Sequence, residues 1–155
     1  MNPLELQKGE FTLSTDPARL DLDMIVEFLQ RSYWAQNRSR ETIEKSIRNS
    51  LAFGIYQGSW QIGFARAVTD LATFAYIADV FVLEEFRRRG LARWLVTSIL
   101  DHPDLKYLRR WFLATRDMHE LYRRCGFVPL ANPEIYMEIL RENPGPAVAS
   151  SLATA

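Results

Sequence analysis

The sequence contains a single cysteine, Cys125, among its 155 residues. One cysteine can form neither an internal disulfide nor a CxxC metal site, and its scarcity agrees with a reducing compartment. Long hydrophobic runs are also missing, since no apolar stretch approaches the ~20 residues of a membrane-spanning helix. Residues 1–10 are polar and lack the basic start and apolar centre of a secretory signal. We therefore expect a cytoplasmic protein with no membrane partner and no bound metal.

The chain also lacks net charge, because 19 basic residues balance 19 acidic ones. This balance argues against a general nucleic-acid-binding surface. The distribution is uneven, however: residues 87–124 hold ten basic and four acidic side chains, whereas residues 1–86 hold eight basic and twelve acidic ones. The basic excess is explained either by solvated helix faces or by a nearby site for an anionic ligand.

Length and composition predict one domain over residues 1–142. Residues 143–155 are rich in proline, alanine, serine and glycine, which predicts a disordered tail. Within the domain, alternation over residues 11–15 predicts a short first strand. Helical spacing then predicts two amphipathic helices, one over residues 21–31 and one that begins after Ser39 as its N-cap.

From residue 51 the hydrophobic period changes to two, which predicts an antiparallel meander of three strands at residues 51–56, 60–68 and 73–83. The third strand is apolar on both faces except at Asp79, so we expect it to be central in the sheet. A glycine turn at residues 87–92 then leads into a helix that Pro103 would end.

The last part of the domain is predicted to contain a strand at residues 110–115, a short helix at 118–124 closed by Gly126, and two final strands at 127–130 and 135–140. The strand–helix–strand crossover favours parallel pairing of its two strands. The expected fold is α+β or α/β, with a mixed, mostly antiparallel sheet of six or seven strands flanked by about four helices.

The glycine turn has the features of an anion site. The first N–H groups of a helix have no intrahelical partner, and the helix dipole adds partial positive charge there. Gly90 permits close approach of the backbone to a ligand, and three consecutive arginines add full charges, so a diphosphate would suit the turn. Such a string alone also occurs for structural reasons.

Two patterns in this order resemble the GNAT superfamily of N-acetyltransferases: Arg87-x-x-Gly90-x-Ala92 after a strand, and Leu121-Tyr122 followed by Gly126-Phe127. The order of elements over about residues 11–140 is similar to that superfamily as well. The resemblance implies acetyl-CoA as co-substrate, a bulge in the central strand that opens a cleft, and Tyr122 as the acid that protonates the CoA thiolate. It implies that CoA contacts Val80, Phe81, Val82, Arg87, Arg88, Arg89, Gly90, Leu91, Ala92 and Thr115.

The reaction also requires a deprotonated amine and therefore a base or a water relay. Asp79 is the first candidate, because burial in an apolar strand should raise its pKa. The alternative is a structural carboxylate paired with an arginine or a neighbouring loop. Tyr76, on the same strand, would instead order a relay water.

The resemblance places the acceptor beside the loop between the first two helices, which carries Tyr33, Trp34 and Arg38. Aromatic rings beside an arginine suit a flat or carboxylate-bearing amine, although packing of the helices onto the sheet explains the rings equally well. We expect a small-molecule or peptide amine as partner and a monomer or homodimer. The alternatives are a non-catalytic acyl-CoA sensor on the same fold and a nucleotide or phosphopeptide binder.

Overall fold

Six strands form one sheet in the order in which they occur along the chain. The computed structural model describes residues 2–142, so the predicted tail at residues 143–155 lies outside the described residues. The strands are β1 (Glu5–Lys8), β2 (Phe11–Ser14), β3 (Leu51–Gln57), β4 (Trp60–Thr69), β5 (Phe74–Val82) and β6 (Arg110–Phe112). Neighbouring strands are antiparallel except β5 and β6, which are parallel. The predicted mixed, mostly antiparallel sheet and its meander are confirmed.

Four helices flank this sheet: α1 (Leu22–Arg31), α2 (Arg40–Arg48), α3 (Leu91–Leu100) and α4 (His119–Arg124). The side chain of Ser39 accepts a hydrogen bond from the Thr42 N–H at 3.1 Å, which confirms the predicted cap of α2. Within residues 2–142, every helix falls short of the length and apolar character that a membrane crossing requires.

The alternation of strand side chains builds one core on each face of the sheet. On β4, Phe64 packs with the buried residues of α1 and α2, whereas its neighbour Ala65 packs with those of α3. On β5, Phe81 and Val82 divide in the same way. The sheet is therefore a layer between two helical layers, and β5 contributes to both cores.

A bulge in β5 opens the sheet. In the register of β4 and β5, Phe64 faces Phe81 and Arg66 faces Ala78, so two residues of β5 oppose one residue of β4. Asp79 occupies the bulge with a φ of 54°. Pairing between β5 and β6 ends at Tyr76, and the later part of β5 has an unpaired edge toward β6. The expected bulge and cleft are both present.

Strand β1 was not predicted, because it carries almost no apolar signal, and the strand predicted at residues 11–15 is β2. It forms a hairpin with β2 through a turn at Gly9, whose φ is 58°. Apart from Leu6, which is half-buried, its residues are exposed. An edge strand that exposes most of its side chains lacks the alternation by which strands are recognised.

The two final strands were predicted wrongly. Among the described residues, the segment 127–140 pairs with no strand and contains a single turn of 3₁₀ helix, Pro133–Ile135. Pro129 lies inside the first predicted run, and Pro133 begins the 3₁₀ turn that includes the first residue of the second run. Neither proline supplies an N–H for a ladder. The predicted strand at 110–115 is also shorter, since β6 ends at Phe112 where its pairing with β5 ends.

Candidate active site

The opening between β5 and β6 forms a cleft of about 460 Å³. The loop between α1 and α2, the bulged part of β5, the loop before α4 and α4 itself line it. Every predicted catalytic and acceptor-binding side chain contributes to this lining, together with two of the residues assigned to CoA. These residues are Tyr33, Trp34, Arg38, Tyr76, Asp79, Val80, Thr115 and Tyr122.

Asp79 accepts four hydrogen bonds from other side chains of the cleft. One carboxylate oxygen accepts hydrogen bonds from Trp34 Nε1 and Arg38 Nη1, both at 2.9 Å. The other accepts from Arg66 Nε at 2.7 Å and from Arg38 Nη1 at 3.1 Å. The Asp79 side chain is only 1% exposed, and that of Arg66 only 11%. The carboxylate therefore ties the α1–α2 loop to the bulge and to β4.

The expectation that the pKa of Asp79 is raised is wrong. Burial alone raises this pKa, but the charges and hydrogen bonds of Arg66 and Arg38 outweigh burial and hold the pKa below its ordinary value. Asp79 is thus a carboxylate across neutral pH, paired with arginines as the alternative interpretation had it. Both of its carboxylate oxygens already accept hydrogen bonds from the surrounding side chains.

Arg66 was missed by the sequence reasoning. It lies on β4, where it also donates to Ser50 Oγ at 3.2 Å. The sequence held a signal for this residue. A charged side chain interrupts the apolar run of each of two adjacent strands, Arg66 in β4 and Asp79 in β5. Opposite charges inside two adjacent apolar strands predict a buried ion pair across them.

Tyr122 reaches the cleft from α4. Its ring packs edge-on against Phe127, with 6.0 Å between the ring centroids, and only 9% of the residue is exposed. Burial raises the pKa of Tyr122 to about 12. The phenol is therefore protonated at neutral pH and available as a proton donor.

Tyr33 connects the α1–α2 loop to the loop that precedes α4. Its hydroxyl accepts a hydrogen bond from the Arg116 N–H at 3.3 Å, and the Arg116 guanidinium lies 4.5 Å from its ring centroid. Thr115 accepts a bond from the Met118 N–H at 3.0 Å, which shapes the turn into α4. The α1–α2 loop thereby spans the cleft from Asp79 to the start of α4.

The glycine turn lies outside this cleft, at the carboxyl end of β5. Gly90 precedes α3 with a φ of 75°, and Arg88 also has a left-handed φ of 64°. The N–H groups of residues 88–92 donate no backbone hydrogen bond to another described residue. A run of unpaired N–H groups at a helix start is the feature by which proteins bind phosphate. Leu91 is buried, so it can contribute only its backbone here.

The three arginines of the turn have different surroundings. Arg87 Nε donates to the Val82 carbonyl at 3.1 Å and so fastens the turn to the end of β5. Arg89 pairs with Glu10 at 3.7 Å and lies over the ring of Phe86. Arg88 is exposed, and within residues 2–142 its side chain has no such partner. Only Arg88 of the three keeps its charge unengaged for a ligand.

Lys8 is a further cation that the sequence reasoning missed. Its Nζ lies 3.8 Å from the point that a Cβ on Gly90 would occupy, and it lies over the ring of Trp94. Lys8 reaches the turn because β1 is the edge strand, and β1 carried no recognisable signal. The positive charge at the turn therefore comes both from Arg88 in the turn and from Lys8 in the distant strand β1.

Metal-ligating side chains do not gather in the described part of the chain: residues 2–142 contain no group of three or more that could hold an ion. The groups that line the cleft are a phenol, a paired carboxylate, arginines and a strand edge.

The sequence of this chain is similar to those of known acetyltransferases. Residues 48–129 match the family model described as the acetyltransferase (GNAT) domain. A candidate acetyltransferase of Gibberella zeae is 30% identical over 142 residues, and the match covers 77% of this chain and 80% of the relative. This chain therefore belongs to the GNAT acetyltransferase family.

Solved structures show the same fold. A crystal structure of a candidate GNAT-family acetyltransferase from Xanthomonas campestris pv. campestris is 40% identical, covers 87% of this chain and 96% of its own, and superposes with a TM-score of 0.83. One from Deinococcus radiodurans covers 90% and 94%, with a TM-score of 0.68. The latter is 19% identical, so it is similar in fold alone.

Proposed function

We propose that this protein is an N-acetyltransferase that moves an acetyl group from acetyl-CoA to a primary amine by direct attack. The observation that carries the proposal is the position of the Tyr122 phenol, which lines the same cleft as the unpaired edge of β5. A buried proton donor beside an open strand edge suits transfer from a thioester whose arm lies along that edge.

The residues present fit acetyl-CoA at two points. The unpaired N–H groups of residues 88–92, with Lys8 and Arg88, would hold the pyrophosphate. The edge of β5 that β6 leaves unpaired, at Val80 and Val82, would pair with the pantetheine arm. The Val82 carbonyl accepts from Arg87 Nε and keeps one further acceptor position. Phe81 contributes only backbone, because its side chain stacks on Phe28 in the core with centroids 3.8 Å apart. When bound, acetyl-CoA supplies the activated acetyl group.

Tyr122 then acts as general acid. Its phenol donates a proton to the CoA sulfur as the carbon–sulfur bond breaks, and the amine nitrogen forms the new bond to the acetyl carbon. With its pKa raised to about 12, Tyr122 holds this proton throughout the neutral range. The product is an amide, free CoA leaves as the thiol, and Tyr122 regains its proton from solvent.

The proton that the amine loses passes to water. Tyr76 lines the cleft, which supports a role for its hydroxyl in ordering that water. Asp79 is a positioning residue in this scheme, because its lowered pKa and its four hydrogen bonds hold it as a structural carboxylate. It fixes the loop that carries the acceptor-binding side chains.

The acceptor lies against Tyr33, Trp34 and Arg38. The charged side chains around the cleft are three arginines and two aspartates, which leave one positive charge in excess. This excess supports an acceptor amine that also carries an anionic group such as a carboxylate. Small molecules and peptide termini with that chemistry both qualify.

Cofactor identity is tested by thermal unfolding. Acetyl-CoA at a hundred times its Kd should stabilise the fold by about 3 kcal/mol and raise Tm accordingly, whereas ATP and NAD at the same concentration should not. A larger shift with ATP or NAD than with acetyl-CoA would instead support a nucleotide-binding protein.

The pyrophosphate turn is tested by Gly90→Val. A β-branched residue is strained at a φ of 75°, so the turn must change conformation and misdirect its N–H groups. We expect acetyl-CoA to bind at least about tenfold more weakly by calorimetry. Gly58→Val is the matched control, because Gly58 has a φ of 60° in the β3–β4 turn. Equal affinities of the two variants for acetyl-CoA would contradict the assignment of the pyrophosphate to this turn.

A further inference from the structure

Two arginines of the cleft share a single carboxylate. Arg38 and Arg66 both bond to Asp79, whose side chain is 1% exposed, while those of the two arginines are 29% and 11% exposed. Two positive charges therefore face one negative charge, and the cluster is net positive in a place largely shielded from water. Because a shielded charge without a counter-charge is unfavourable, such a cluster favours a ligand that brings a negative charge.

Arg38 has hydrogen-bond donors left for such a ligand. Its guanidinium reaches both oxygens of Asp79 through Nη1 alone, at 2.9 and 3.1 Å. Within residues 2–142, the Nε and Nη2 atoms of Arg38 donate to no other residue. These two nitrogens form a planar fork, and a carboxylate accepts two parallel hydrogen bonds from a fork of this kind.

The other two arginines of the cleft are engaged more fully. Arg66 donates from Nε to the carboxylate at 2.7 Å and from Nη1 to Ser50 Oγ at 3.2 Å, and it is the more deeply buried of the pair. The guanidinium of Arg116 lies on the ring of Tyr33, 4.5 Å from the ring centroid. Arg38 is therefore the arginine of the cleft that is both accessible and equipped with a free fork.

Asp79 also fixes the direction of the Arg38 side chain. Its carboxylate is held from two further sides, by Trp34 Nε1 at 2.9 Å and by Arg66 Nε at 2.7 Å. An arginine whose Nη1 is tied to a buried, fixed carboxylate loses little rotamer freedom when it binds a ligand. The cluster thus presents a preorganised fork to the cleft that Arg38 lines.

The space beside Arg38 suits a small molecule. The cleft of about 460 Å³ lies in the range of small-molecule sites, and it must also admit the acetyl end of the co-substrate. Two of its walls are joined, because the Tyr33 hydroxyl accepts a 3.3 Å hydrogen bond from the Arg116 N–H. This bridge limits the length of chain that can lie across the cleft.

We propose that Arg38 binds the carboxylate of the acceptor through Nε and Nη2, and that the acceptor is a free amino acid. This inference rests on the proposed acetyl transfer, whose acceptor it specifies. In a peptide, an amide replaces the carboxylate next to the terminal amine, and its single neutral oxygen cannot pair with the fork as a charged group. The CoA phosphates do not compete for Arg38, because they are assigned to the glycine turn outside this cleft.

The first test compares amino acids with their amides in a thiol-release assay. The two members of a pair have nearly the same size and differ in the carboxylate that Arg38 would bind. The natural chain should prefer the amino acid in kcat/KM, and Arg38→Gln should reduce this preference at least about tenfold, the scale of hydrogen bonds between charged groups. Arg38→Lys keeps the charge but loses the fork, so its preference should lie between the two.

Each preference is a ratio within one variant, so a general disturbance of the α1–α2 loop affects both members of a pair and cancels. Arg31→Gln changes an arginine at the exposed end of α1 and should keep the natural preference. A preference that persists in Arg38→Gln, or that disappears in Arg116→Gln instead, would overturn the proposal. Tripeptide amides that react as fast as the free amino acid with which they begin would overturn it too, in favour of a peptide acceptor.

Binding without turnover separates this inference from the proposed reaction. The N-acetyl derivatives of the common amino acids are titrated singly into the protein by calorimetry, with CoA present. At least one should bind to the natural chain and to Arg31→Gln with equal affinity, and at least about tenfold more weakly to Arg38→Gln. If this result holds and no amine releases CoA, the carboxylate site stands and acetyl transfer fails. If no N-acetyl amino acid binds, or if binding is equal in Arg38→Gln, the proposal fails whether or not CoA is released.

Discussion

Tyr122→Phe is expected to lower kcat by about 100-fold or more, because a general acid contributes on that scale. The substitution removes one oxygen and keeps the ring that packs against Phe127. Binding of acetyl-CoA should therefore be unchanged by calorimetry, and the loss should fall on kcat in a thiol-release assay. Tyr107→Phe removes the same oxygen from an exposed ring and should leave kcat as it is.

The pH dependence of this variant follows from the sign of the shift. Burial raises the pKa of Tyr122 to about 12, so the phenol keeps its proton at every pH below that value. The variant should lose activity by the same factor across the neutral and mildly alkaline range, with no change in the shape of the profile. Natural turnover in Tyr122→Phe would reduce Tyr122 to a packing residue.

Asp79→Asn is expected to destabilise the fold by about 3 kcal/mol or more, the scale of a buried ion pair that loses one partner. The variant leaves the buried Arg66 without its counter-charge and replaces one of the two acceptor oxygens by an amide NH2 group, which cannot accept a hydrogen bond. The measurement is the free energy of unfolding in urea at one fixed protein concentration. Asp23→Asn is the control, because Asp23 pairs with Arg40 at an exposed site, where an ion pair contributes about 1 kcal/mol at most.

The sign of the Asp79 shift fixes the pH window of this effect. A pKa lowered by folding stabilises the protein above the ordinary carboxyl value, and this stabilisation disappears as the pH falls through the lowered value. The difference between the natural chain and Asp79→Asn should thus be constant near neutrality and shrink in acid. A variant within experimental error of the natural chain at neutral pH would contradict the role assigned to this cluster.

The same variant separates positioning from base catalysis. Asp79 is ionised throughout the neutral range and engaged by two arginines, so its loss should alter KM for the amine through the α1–α2 loop. The shape of the kcat profile with pH should stay as in the natural chain. A profile that loses its rise with increasing pH in Asp79→Asn would return the base role to this carboxylate.

Local patterns carried most of the fold in the sequence. The meander from residue 51 followed from period-two alternation, the start of α2 from Ser39, and the turn before α3 from Gly90, whose positive φ few other residues tolerate. A bulge in the central strand, which the structure has at Asp79, was expected from the family resemblance. Each of these features depends on neighbours within a few residues.

The features that failed depend on partners in other elements. β1 exists because β2 supplies its ladder, and the segment 135–140 is apolar like a strand but finds no partner within the described chain. The pKa of Asp79 depends on Arg66 and Arg38, which lie on β4 and the α1–α2 loop. Lys8 joins the turn through sheet order alone. Period and propensity do not encode such pairings.

The central claim is tested most directly by thiol release from acetyl-CoA across a panel of primary amines. The panel should contain matched pairs that differ only in a carboxylate, such as amino acids and their decarboxylated amines. The account predicts release of free CoA that requires an amine, with the carboxylate-bearing member of a pair reacting faster. A folded protein that binds acetyl-CoA but releases no CoA with any amine would contradict catalysis and leave a non-catalytic acyl-CoA sensor.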